Sequence, residues 1–136
     1  MSDRPSTLIN YELSYTTYKG YQRVATAPAI DFVNITDGSF DEIKDLIQAG
    51  NHFVQVKTSS SATITQNLKK GIERLAMVGG SDKVRTFDVR IDPQNASSAN
   101  AIKQQLEGHL RTWRIDNPTY SQNQVIISVQ PYEFVP

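Results

Sequence analysis

Between residues 53 and 129 the chain changes its hydrophobic period four times. Phe53 to Thr58 reads as a strand, with Val54 and Val56 on one side. Ile64, Leu68, Ile72 and Leu75 then recur at helical spacing, and Gly79-Gly80 supplies the stop. Val84 to Ile91 returns to a period of two, with Phe87, Val89 and Ile91 sharing a face. Ile102, Leu106, His109, Leu110 and Trp113 make the strongest helical stripe, which Asn117-Pro118 ends. Val125 to Val129 is the last strand, and Val125-Ile126-Ile127 is apolar on both faces, as a central strand would be. Such alternation leaves few topologies open, because parallel neighbours need crossover connections and these are right-handed.

The upstream half reads differently. Leu8 to Tyr18 alternates, placing Ile9, Tyr11, Leu13 and Tyr15 on one face. Lys19-Gly20 is a turn, and Tyr21 to Thr26 returns as the second arm of a hairpin. Ile30 to Ile35 is another short strand, closed by Asp37-Gly38. Ser39 and Glu42 have capping-box spacing, and Phe40, Ile43, Leu46 and Ile47 form a helical stripe ending at Gly50. The expected fold is therefore one α+β domain over residues 1–136, with a mixed β-sheet and about three helices packed mainly on one face. Its element order is β-β-β-α-β-α-β-α-β, with residues 1–7 and 131–136 as tails.

Composition narrows the chemistry. There is no cysteine, which excludes disulfides, thiolate metal sites and a cysteine nucleophile. Lys plus Arg and Asp plus Glu are 14 each, so no bulk field draws nucleic acid or a membrane surface. No run reaches membrane-helix length, and Met1 to Pro5 lacks the apolar core of a secretion signal. Cytoplasmic synthesis is expected. Ser, Thr, Asn and Gln contribute 41 residues, so the surface is polar more through hydroxyls and amides than through charge. Such groups make hydrogen-bonded contacts without the cost of burying an ion.

The stretch "KTSSSATITQNLKKG", residues 57 to 71, resembles a phosphate cradle at first sight. It lacks the glycines of G-x-x-x-x-G-K-[ST], and Lys69-Lys70 fall inside the helix. Thr63 and Gln66 have capping-box spacing, so a capped β-α junction is the expectation. Asp37, Ser39 and Asp41 begin like a calcium loop, but Gln48 stands where the closing glutamate belongs. His52 and His109 are far apart, and His109 lies on an apolar stripe as a half-buried imidazole commonly does. No G-x-S-x-G, HExxH or S-x-x-K pattern occurs. No catalytic, cofactor-binding or metal residues are assigned, and no cofactor is implied.

Tyrosines carry the remaining signal. Tyr11, Tyr15, Tyr18 and Tyr21 gather near Lys19 and Arg23. Residues 19 to 26, KGYQRVAT, begin like the RNA-binding signature that sets aromatics on a sheet, but Gln22, Arg23 and Thr26 depart from it. The other use of exposed tyrosine is a protein interface. The expectation is thus a non-enzymatic assembly subunit, docking to other protein subunits in a homo-oligomer through tails, a sheet edge and amide-rich surface. A virion component, such as a phage head-decoration or tail-connector protein, is its concrete form. Tyr18, Lys19, Tyr21 and Arg23 are the contact candidates. A small nucleic-acid-binding domain using the sheet tyrosines and local basic residues is the alternative, and a small enzyme with a site scattered along the chain the second.

Overall fold

A computed structural model describes residues 21–23, 31–34 and 50–132. They form a mixed α+β fold around one five-stranded sheet, in sequence order. Strand β1 (Tyr21–Arg23) pairs antiparallel with β2 (Phe32–Asn34), and β2 antiparallel with β3 (His52–Ser59). Then β3, β4 (Val84–Ile91) and β5 (Ile126–Pro131) run parallel. Helix α1 (Gln66–Ala76) connects β3 to β4, and α2 (Ala99–Asp116) connects β4 to β5. The expected strand at Leu8 to Tyr18, its hairpin turn and the helix at Phe40 to Ile47 lie outside the described residues, as do the two tails save Pro131 and Tyr132. Two α-helices, rather than three, are therefore established.

The period-two reading of β4 locates the core, whereas in β3 the cluster takes Phe53 and not the expected pair Val54 and Val56, which are buried outside it. Phe53, Phe87, Val89, Ile91 and Ile127 pack in one buried cluster with Leu68, Ile72 and Leu75 of α1 and Ile102, Leu106 and Leu110 of α2. Both helices thus cover the face that presents the odd-numbered sheet residues. Helix α1 comes close to the sheet at Gly71. A Cβ there would stand 3.0 Å from Lys57 Cε and 3.1 Å from Phe87 Cε1, so a larger side chain would push the helix outward.

Helix entrances differ in detail from expectation. The N-cap of α1 is Thr65, not Thr63; its Oγ1 accepts from the Leu68 amide at 3.3 Å. Thr63 is instead part of a serine–threonine turn, its amide donating to Ser61 Oγ at 3.2 Å. Before α2 the chain forms a 3-10 segment (Pro93–Ser98), at whose start the Asp92 carboxylate accepts from the Gln94 amide at 2.9 Å. Ser98 holds the N-cap position of α2 without a side-chain cap bond. His109 meets a partner that sequence spacing does not reveal. Its Nε2 lies 2.6 Å from Glu73 Oε2, joining the two helices across a half-buried pair.

The other expectation that fails is the place of β5. It is not central; among the described residues it forms one edge of the sheet. Ile127 enters the core at 6 % exposure, while Ile126 faces outward at 56 %. Apolar residues on both faces here reflect a buried inner face and an exposed outer one.

Candidate interaction edge

The edge begins with a polar cluster that fixes the chain before β5. Helix α1 ends at Met77, and Gly79 follows with φ 69°. That left-handed turn carries the chain out of the helical ladder, so its carbonyls need other donors. Arg85, on the core face of β4 and fully buried, gathers three carbonyls of the connection that follows the helix. Its Nε donates to Val78 O at 2.9 Å, Nη2 to Val78 O and Gly80 O at 2.6 Å each, and Nη1 to Lys83 O at 3.1 Å. A cation at a helix C-terminus also suits the helix dipole. Desolvation, then the charge of Arg114, lowers the Arg85 pKa, while Asp82 opposes the change.

Asn123 completes the cluster from the α2–β5 connection. Its Nδ2 donates to Ala76 O at 2.9 Å and Gly79 O at 3.2 Å, and its own carbonyl accepts from Arg114 Nη2. Trp113 stacks on Tyr120 with ring centroids 5.7 Å apart, and the Asn117 side chain donates to Trp113 O at 2.8 Å. These contacts lead the chain back from the end of α2 to the start of β5.

The hydrogen-bond register of β5 follows from one contact beyond its end. The Tyr132 amide donates to Ile91 O at 2.9 Å. Parallel strands direct alternate residues to opposite neighbours, so the even-numbered residues of β5 bond β4. Ile127 and Val129 then turn their N–H groups outward, and Pro131, which has none, occupies the next outward place. Proline at such a place blunts the edge without costing a ladder bond. Burial, then the Asp92 carboxylate and a hydrogen bond to it, raises the Tyr132 phenol above its ordinary pKa. The stabilisation from that closure is present at neutral pH and is lost as pH rises through the raised value.

Two surfaces flank the edge. On the outer sheet face, Ile126 is paired with Thr86, and Val84 lies diagonally across at 44 % exposure. On the helix side an open groove of about 320 Å³ runs between α2 and β5. Glu107, Arg111, Arg114 and Gln124 rim it, and Leu110 and Ile127 lie at its base.

Of the four expected contact residues, Tyr18 and Lys19 lie outside the described residues. Tyr21 and Arg23 occupy the first and last positions of β1, opposite Asn34 and Phe32, at the far edge of the sheet from β5. The residues around β5 were missed by sequence reading. Gln124 to Val129 carries no motif, and only Pro131 marks the edge. At residues 57–71 several backbone amides already have side-chain acceptors. The amides of Ser61, Thr63 and Leu68 are taken by Ser59, Ser61 and Thr65 hydroxyls, and the Ile64 amide reaches Gln105 Oε1 at 3.5 Å. The run Asp37 to Asp41, which fails the calcium-loop pattern at Gln48, lies outside the described residues. Among the described residues no three His, Asp or Glu side chains converge as metal ligands, and no helix is long and apolar enough to cross a membrane.

No family model, curated protein or solved structure matches this chain.

Proposed function

We propose that the protein is a non-enzymatic assembly subunit that docks to copies of itself through β5. The observation that carries this reading is the outer edge of that strand. Outward amides at Ile127 and Val129 stand next to two exposed apolar side chains, Val84 and Ile126. An extended segment of a second copy gains main-chain hydrogen bonds there and covers apolar area at the same time. The uncharged polar surface suits the same use, because hydroxyls and amides adapt to a partner without ion desolvation. A subunit of a virion or phage particle is the concrete form of this reading.

Sedimentation velocity over a concentration series tests it. Wild-type protein is expected to associate, and Ile126→Lys to weaken association by about tenfold or more, as loss of an apolar anchor does. Val129→Pro removes an outward donor that β4 does not use, and is expected to act in the same direction. A wild-type chain that stays monomeric at about millimolar concentration overturns the proposal. Binding of single-stranded nucleic acid that weakens in Tyr21→Ala and falls steeply with salt would put the tyrosine reading in its place.

A further inference from the structure

The groove between α2 and β5 has an electrostatic imbalance that the docking edge does not require. Arg111 and Arg114 line it from α2, and Glu107, one turn earlier on the same helix, is the one carboxylate beside them among the described residues. Neither arginine forms an ion pair with that carboxylate among the described residues. Among the described residues Arg114 is held by Nη2 on Asn123 O, whereas its buried Nε meets no hydrogen-bond partner. The charges of Arg114 and Arg85 also act on each other, with Asp82 opposing in part. A buried donor without an acceptor costs stability, and so does a pair of like charges in a partly desolvated place. One ligand relieves both. An oxyanion offers several acceptor lone pairs and a compensating charge, and it matches the planar donor edge of arginine. Water would satisfy the donor but would leave the charge uncompensated.

We propose that this groove binds an oxyanion, held by Arg111, Arg114 and the carboxamide of Gln124. The group comes from one of two sources: a free phosphate or carboxylate, or an acidic side chain of a second copy seated along β5. The site does not depend on assembly, since a monomer carries all three residues.

Amide chemical shifts of isotope-labelled protein, with inorganic phosphate as probe, provide the test. Dilute protein is expected to show saturable shifts at residues 110–114 and 123–125 as phosphate is added. Arg111→Glu changes an exposed residue and is expected to weaken binding by about tenfold, the effect of exchanging one charge-assisted contact for a repulsive one. Arg74→Glu makes the same change of charge on α1, away from the groove, and is expected to leave binding intact. If the same amides instead move when phosphate-free protein is concentrated, and phosphate reverses the movement, the oxyanion belongs to a second copy. Absence of saturable shifts in both series overturns the proposal. Equal weakening by Arg74→Glu and Arg111→Glu also overturns it, because binding would then report net charge alone.

Discussion

Arg85→Met is expected to lower the free energy of unfolding by about 3–5 kcal/mol, because three backbone carbonyls lose their guanidinium donor and only that of Gly80 keeps another, the Lys83 amide. The side chain is fully buried and directs its donors to three carbonyl oxygens, those of Val78, Gly80 and Lys83. Methionine replaces the aliphatic stem with little change in volume, so the loss reports the hydrogen bonds rather than a cavity. In a chain of this length the change corresponds to a fall in Tm of about 10 °C or more. Arg85→Lys keeps the charge but loses the planar fork, and is expected to restore only part of the loss. Burial places the arginine pKa lower in the folded chain than in the unfolded one. The resulting cost is present wherever the group is charged and is relieved only in strong alkali, so melts near neutral pH measure the charged form. A Tm within about 2 °C of wild type for Arg85→Met would show that the carbonyls find other partners.

Gly79→Val is expected to cost about 3 kcal/mol or more, from two sources that act together. At φ 69° a β-branched residue meets its own backbone. A Cβ would also stand 2.8 Å from Phe53 Cε2 and 3.0 Å from Lys83 Cγ. The ring of Phe53 is fully buried in the core beneath and has little room to retreat. Gly79→Ala meets the same Cβ contacts without the branched carbons, so it is expected to be the milder variant in a chemical denaturation series. Equal stability of wild type and Gly79→Val would mean that the turn can flip to a conformation with negative φ. Arg85 and Gly79 share the same carbonyl cluster, so their losses are not expected to add in the double variant.

These two positions also mark where sequence reading reached its limit. Strand β4 was legible to the residue, because Phe87, Val89 and Ile91 alternate cleanly and all three are buried. The stripes of both helices were legible for the same reason. Arg85 continues the alternating series one step earlier, and a cation on an apolar face just after Gly79-Gly80 was the available sign that it serves the connection between α1 and β4. The cap at Thr65 was misplaced by two residues because the run Ser59 to Thr65 offers many hydroxyls, and hydroxyls in excess bond one another's backbone before the helix starts. Strand β5 was misjudged because two adjacent isoleucines carry no information about which neighbour is missing. The candidate edge and groove were not legible at all. They arise from residues on α2 and β5 that come together only after the crossover has been made.

Asn123 has a consequence for how the molecule opens. Its carboxamide binds carbonyls 47 and 44 residues away in sequence, at the end of α1 and in the turn after it. Neither the turn before β4 nor the turn before β5 can leave its place without breaking these bonds. Slow opening events therefore treat the two turns as one unit, although they belong to different crossovers, and their exposed amides share a single opening free energy in solvent exchange. A partner that grips β5 consequently steadies the end of α1 as well, without touching it.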